Sequence, residues 1–309
     1  MLRYIMKRIL WLVPILLGVS FIVFTIMYLS PGDPVTLILG EGASEEAYEA
    51  LRIQMGLDRS FIEQFFSYIR RVVFDLDLGR SYVSNRVVLD EILVRLPNTI
   101  RLASWSILIA TLIGVPLGVI SATRPYSKLD NAVMFISLMG VSMPTFWQAL
   151  LLIILFTSTL GWLPATGFTT WQQMIMPVAA LATSSMGMIA RITRSSMMEV
   201  LDQDYIRTSQ AKGVPDGRVI FQHALKNALI PVVTVIGLQF GALLGGAVLT
   251  ETIFSINGLG TMMVNAIRTR DSMVVQGGVL FIAFIFTLVN LCVDILYAYI
   301  DPRIRSQYE

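Results

Sequence analysis

The sequence predicts an all-α, polytopic membrane protein with six transmembrane helices, and three observations carry that prediction. The chain of 309 residues is 55% hydrophobic and only 14% charged, whereas a soluble domain carries about a quarter charged residues. Its mean hydropathy is +0.70. Its charges are clustered, which leaves apolar stretches longer than the roughly 20 residues a helix needs to cross the hydrocarbon.

Charge-free segments lie at 9–29, 102–123, 131–190, 227–250 and 272–293. The first follows Arg3, Lys7 and Arg8 and so begins like a signal peptide. It has no small-residue cleavage site at its end, and it is read as a retained span. The third is too long for one helix. It is interrupted by Gly161-Trp162-Leu163-Pro164-Ala165-Thr166-Gly167, a turn-rich stretch of interfacial character. Two helices are expected there, near 131–157 and 172–190, which brings the total to six.

Orientation follows from lysine and arginine. With the N-terminus inside, the short internal segments 1–8, 124–130, 191–226 and 301–309 hold thirteen Lys and Arg, against two in the short external loops 159–171 and 251–271. Both termini are therefore expected in the cytoplasm. The segment 30–98 carries seven Arg against eleven Asp and Glu and falls outside, as long loops do largely regardless of charge. Helical patterns at 44–55 and 61–73 predict a small structured external cap. The expected organisation is an N-terminal segment with the first span (1–29), the cap (30–98), a five-helix core (99–301) containing the cytoplasmic loop 199–226, and a cytoplasmic tail (302–309).

Within the spans, Pro14, Pro116, Pro144 and Pro177 mark points of kinking. Gly237, Gly241 and Gly245 recur every four residues and make one smooth helix face. Such a face admits close backbone approach by another helix, in a subunit interface or a pore wall if not within the chain.

Little in the sequence points to catalysis. There is no Gly-rich phosphate loop ending in Lys-Ser or Lys-Thr, hence no ATP site of the usual kind. There is no HExxH and no Cys/His cluster for zinc; Cys292 and His223 stand alone. No basic stripe with interleaved aromatics points to nucleic acid. The chain is expected to be no enzyme and to hold no cofactor or metal itself.

The polar segment 199–231 is the most informative. A short helix is expected over 204–212, ending at Gly213 as its C-cap. A second begins at Pro215, a favoured first helical position, with Arg218, Gln222 and Lys226 along one polar face. Such a pair either lies on lipid or docks into a partner protein.

This segment resembles the cytoplasmic loop of permeases from binding-protein-dependent ABC importers, in the form found in the dipeptide/oligopeptide/nickel class. The likeness rests on Asp204-Tyr205-Ile206-Arg207-Thr208-Ser209-Gln210-Ala211-Lys212-Gly213 and on His223-Ala224-Leu225-Lys226-Asn227-Ala228-Leu229-Ile230-Pro231. Ser209 stands where the class usually has Ala. Ser30-Pro31-Gly32-Asp33-Pro34, Gly161-Trp162-Leu163-Pro164 and Glu251-Thr252-Ile253-Phe254-Ser255-Ile256-Asn257-Gly258-Leu259-Gly260 agree with the same class, except that Asn257 replaces a usual Pro.

The resemblance implies a multi-pass permease subunit of the cell inner membrane, surrounded by lipid. It implies a second, similar permease subunit, two cytoplasmic ATPases that hold ATP and magnesium, and an external solute-binding protein as partners. Asp204, Tyr205, Arg207, Thr208, Ala211, Lys212, Gly213 and Arg218 would couple to the ATPases. Glu251, Phe254, Gly258 and Gly260 would form the external mouth. Pro144, Trp147, Gln239, Asn290 and Asp294 are pathway candidates, the last because an ionisable residue in a span is a functional candidate by default. The rival reading is an ion-coupled secondary transporter, a class that shows inverted repeats and mid-membrane ionisable groups; neither is evident here. Dipeptides, longer peptides, glutathione, nickel complexes and oligosaccharides all fit the class as solutes.

Overall fold

The computed structural model describes residues 2–30, 33–40 and 42–300; the expected tail 302–309, together with Pro31 and Gly32, lies outside the described residues. Among the described residues the regular structure is helical, apart from one isolated antiparallel bridge between Arg80 and Val87.

Helix α1 (Leu2–Leu29) provides the first span. Three short helices follow: α2 (Pro34–Leu39), α3 (Glu45–Gln54) and α4 (Phe61–Phe74). Each starts where local chemistry dictates. The Asp33 carboxylate accepts from the Val35 and Thr36 amides at 3.3 and 2.9 Å, with Pro34 at the first helical position. Ser44 caps α3, and Ser60 and Glu63 form a reciprocal capping box at α4. Helix α4 then docks its aromatic face on α1. The Phe21 and Phe65 rings meet edge-on at 5.3 Å, and Tyr68 stacks on Phe24 at 6.0 Å.

The second span belongs to α5 (Val88–Thr123), 36 residues long. Its helix begins inside the stretch read as cap, where Glu91 and Arg95 pair at 3.1 Å. Helix α8 (Trp171–Leu201) provides the fourth span and is the hub of the bundle, packed by α5 on one side and α6 (Lys128–Ser142) on another. Small residues make these approaches close. A Cβ on Gly118 would lie 2.6 Å from the Ala190 carbonyl oxygen, and one on Gly140 would lie 2.9 Å from that of Thr183.

The third span departs from the single helix expected over 131–157. It is a bent pair, α6 and α7 (Thr145–Leu152), the second continuing through wide π-type turns to Thr159, with a bend of 100°. The cause is Pro144. Proline offers no amide hydrogen and disfavours the helical region for the residue before it, and Met143 is extended at φ −76°, ψ 127°. Gln148 compensates: its amide nitrogen donates to the Gly140 and Met143 carbonyls, each at 3.1 Å. Among the described residues five helices are long and apolar enough to cross a membrane, and this bent pair, counted as one span, gives the six expected.

Beyond α8 come α9 (Asp204–Ala211), α10 (Asp216–Arg218) and, after wide turns through Val219–Ala224, α11 (Leu225–Gly246), the fifth span. Pro215 precedes α10 as its N-cap rather than starting the helix as expected. Then follow α12 (Val248–Ile253), α13 (Leu259–Arg268) and the sixth span, α14 (Ser272–Ile300). The glycine face of α11 meets α14 of the same chain. A Cβ on Gly241 would lie 3.3 Å from the Phe286 ring, one on Gly245 would lie 3.5 Å from Ile282, and one on Gly237 would overlap Val293. It is a packing face within the chain.

Candidate functional site

Functional candidates gather at the two ends of the bundle. At one end α9 buries a single side chain against the span termini. Ile206 is fully buried among Val119, Met197, Val219 and Ala224. Asp204, Tyr205, Arg207, Thr208, Ala211 and Lys212 are exposed, as is Arg218 on α10. The helix is thus anchored on one face and open on the rest.

Its end is built by Gly213. The Gly213 amide donates to Gln210 O at 2.9 Å and the Val214 amide to Ser209 O at 3.3 Å, the paired bonds of a Schellman ending. Gly213 sits at φ +76°, a region that glycine enters without a Cβ penalty. Two tethers hold the helix laterally. Arg207 pairs with Asp202 at 2.6 Å, and Asn227 donates to the Tyr205 hydroxyl at 2.8 Å.

At the other end, Glu251 of α12 is fully buried. Its Oε1 accepts from the Thr99 hydroxyl at 2.6 Å, and its Oε2 accepts from the Thr261 amide at 3.1 Å. The Thr99 hydroxyl in turn accepts from the Leu259 amide at 2.9 Å. One carboxyl group therefore ties the second span to the start of α13. Gly258 lies directly on this carboxyl, and a Cβ on Gly260 would come within 2.9 Å of Oε2 and 2.6 Å of the Val248 Cα. Glycine is required at both by close approach. Burial pushes the Glu251 carboxyl above its ordinary value, against the donors from Thr99, Thr261 and Gly260.

Phe254 is buried beside it, and its carbonyl accepts from the Gly167 amide at 2.8 Å. That bond joins the turn after the fifth span to the hairpin between the third and fourth. The Arg101 guanidinium lies over the Phe168 ring at 5.5 Å on the same hairpin. Glu251, Phe254, Gly258 and Gly260 are brought together as one compact clasp.

The pathway candidates are spread over three helices. Pro144 and Trp147 border the bend of the third span and line a shallow apolar groove with Met139, Met143 and Phe146. Gln239 on α11 donates to Ser185 of α8 at 3.4 Å. Asn290 on α14 has a buried Oδ1 without a partner among the described residues. Asp294 also lies on α14, and its side chain falls outside what the structure describes.

Residues 114–306 match the family described as binding-protein-dependent transport system inner membrane component, and residues 1–103 match the N-terminal region of such membrane components. The chain belongs to this family. It is a multi-pass inner-membrane subunit of a binding-protein-dependent transport system.

Similar proteins include the dipeptide transport system permease protein DppB of Alkalihalophilus pseudofirmus, 46% identical and covering 99% of this chain and 100% of that one. The glutathione transport system permease protein GsiC of Escherichia coli K12 is 43% identical, covering 99% of each. Among solved structures, the inward-facing MetNI methionine ABC transporter superposes with a TM-score of 0.59 at 18% identity, covering 69% of this chain and 97% of that one. At that identity the likeness concerns the fold.

Two polar clusters of this permease are not visible as sites in its sequence. Asp130 of α6 is buried, and Arg194 of α8 meets it through two bonds of 2.7 Å, from Nε to Oδ1 and from Nη2 to Oδ2. The Ser121 hydroxyl and the Tyr126 amide complete the shell. The second, third and fourth spans are clamped beside α9 by this pair. At the opposite end, the buried Asp271 binds the Ser81 hydroxyl and the Tyr82 amide, holding the loop before α5 against the start of α14. The local signals are the Ser127-x-x-Asp130 cap pattern at α6 and Asp271 just before α14, where its Oδ1 accepts from the Val274 amide at 3.4 Å; Arg194, Ser81 and Tyr82 lie far away in sequence.

Proposed function

We propose that this chain forms, with a second permease subunit, the membrane pathway of an ATP-driven importer for peptides or peptide-like solutes delivered by an external binding protein. The observation that carries the mechanism is α9: Ile206 is its one buried side chain, and every coupling candidate on the helix is exposed. Such a helix can seat in a cleft of a cytoplasmic ATPase and move with it. The buried Ile206 contact then passes the motion to the span ends, and the Asp130–Arg194 clamp makes three spans respond together.

The orientation that fits places both termini and 191–226 in the cytoplasm, following the lysine and arginine asymmetry. The cap and the Glu251 clasp then lie outside, where the clasp shapes the mouth that receives the loaded binding protein. ATP and magnesium reside on the two ATPase subunits, and this chain itself contributes no catalysis. The peptide class of solute is supported by the names of the similar permeases.

The test is uptake of a labelled dipeptide, and separately of glutathione, into vesicles containing this chain with its partner subunits and binding protein. Uptake that requires ATP and the binding protein is expected. Uptake driven by an ion gradient without ATP would return the secondary-transporter reading. For orientation, an impermeant thiol reagent applied to intact cells is expected to label a cysteine at position 45 and not one at position 212; the reverse pattern overturns the assignment.

A further inference from the structure

A cavity of about 700 Å³ lies where the cap meets the first and sixth spans. Its apolar floor is Phe24 and Met27 of α1, and its walls come from α3, α4 and the start of α14. Three of its lining side chains carry buried polar atoms with no partner among the described residues: the Tyr68 hydroxyl, the Arg71 Nε and the Gln276 Oε1. Tyr68 is 2% exposed and Gln276 is 7% exposed. Unpaired buried polar groups are rare and cost about 1–3 kcal/mol each. Three such atoms line this one cavity.

Charge narrows the ligand. Arg52, Arg59, Arg71 and Arg270 all line the cavity, against one carboxylate among the described lining residues, that of Asp33. Asp33 is already engaged by the amides and hydroxyl of the α2 N-terminus. Arg52 shares its charge with Glu49 at 3.1 Å, and the other arginines keep the cavity electropositive. Burial pushes the phenols of Tyr68 and Tyr82 up to about 12, so both stay neutral. The Tyr68 hydroxyl and the Arg71 Nε offer hydrogens to an oxyanion, while the Gln276 Oε1 requires a hydrogen in return. A phosphate group carrying or adjoining a hydroxyl supplies both.

We propose that this cavity is a binding site for a phosphate oxyanion with a hydroxyl donor, held by Arg71, Tyr68 and Gln276 between cap and bundle. Two sources share that chemistry: the headgroup of a hydroxyl-bearing phospholipid such as phosphatidylglycerol, reached along α1, and free inorganic phosphate. A bound oxyanion would fix the cap to the spans by bridging α4 and α14.

The full-length chain is tested in two arms. In the first it is exchanged into nanodiscs of phosphatidylcholine with phosphatidylglycerol, then released, and retained lipid is counted by native mass spectrometry. In the second, inorganic phosphate is titrated in detergent and the unfolding temperature is followed. Retention of one phosphatidylglycerol is expected from the lipid source, and a saturable rise in unfolding temperature from the free-phosphate source. Either supports the site if Tyr68→Phe weakens it about tenfold, the worth of one hydrogen bond to a charged group. Arg71→Gln is expected to weaken it by about tenfold or more, the worth of a charged one. Tyr68→Phe keeps the ring that stacks on Phe24, so the test stands even if Arg71→Gln fails to fold. Binding of neither probe, or binding that Tyr68→Phe leaves unchanged, overturns the proposal.

Discussion

Replacing Glu251 with alanine tests the clasp most directly, because so much depends on one carboxyl. The side chain is fully buried and takes hydrogens from the Thr99 hydroxyl at 2.6 Å and the Thr261 amide at 3.1 Å. In Glu251→Ala those two donors lose their acceptor in a space closed to water. An unsatisfied buried donor costs about 1–3 kcal/mol, so the pair costs about 2–6 kcal/mol before any cavity term. Against a total stability of about 5–15 kcal/mol, that is a large fraction. The Phe254–Gly167 bond sits on the same turn, so the hairpin between the third and fourth spans should loosen too. Thermal unfolding of the purified chain is the assay. At about 2 °C per kcal/mol for a chain of this size, a fall of about 4 °C or more is expected. An unfolding temperature within about 1 °C of wild type would refute the reasoning, since two stranded donors cannot cost so little.

Other predictions are independent of that one. Because burial raises the Glu251 carboxyl, its contribution is complete below the ordinary carboxylate range and is lost as pH rises through the raised value; wild type should therefore lose stability relative to Glu251→Gln over that rise, and parallel pH profiles would count against it. Gly241→Leu drives a side chain into Phe286, where even a Cβ stands at 3.3 Å. A loss of about 1–3 kcal/mol is expected from overpacking, read as a lower unfolding temperature. Asp130→Asn removes the charge and one of the two acceptors that meet Arg194, in a site closed on the carboxylate side, at a cost of about 3 kcal/mol; protease sensitivity near 124–130 should rise while the spans still insert. Gly213→Val forces a β-branched residue to φ +76° at about 1–2 kcal/mol. It should disturb α9 alone, lowering solute-stimulated ATP hydrolysis by the assembled transporter, and Gly213→Asn should preserve much of it.

What the sequence made legible was local. Charge-free runs of fixed length mark spans because lipid leaves the backbone no alternative to a helix. Gly213 marks a helix end because capping acts over three or four residues. The four-residue glycine spacing announced a packing face, though not that α14 was its partner. Pro144 was legible as a point of kinking, but the size of its bend, 100°, was not. Hydropathy averages over both arms of the third span, and proline kinks vary with how the freed carbonyls are satisfied, here by Gln148. The Glu251 clasp was legible as a compact turn after the fifth span, but its acceptor role depends on Thr99, 152 residues away. Asp130 and Arg194 are 64 residues apart. Pairings at such distances follow from the packing of whole spans, and no window of sequence contains both halves.

The account's central claim is that α9 is the surface through which an ATPase drives the spans. Site-directed cross-linking tests it in the assembled transporter, in a Cys292→Ser background. Thr208→Cys lies on the open face of α9, and Thr169→Cys lies on the hairpin at the opposite end of the bundle. The account predicts that Thr208→Cys cross-links to the ATPase subunit, with a yield that changes when ATP is added, and that Thr169→Cys does not. A transporter that imports its solute normally while position 208 gives no ATPase cross-link, or while position 169 does, would contradict it.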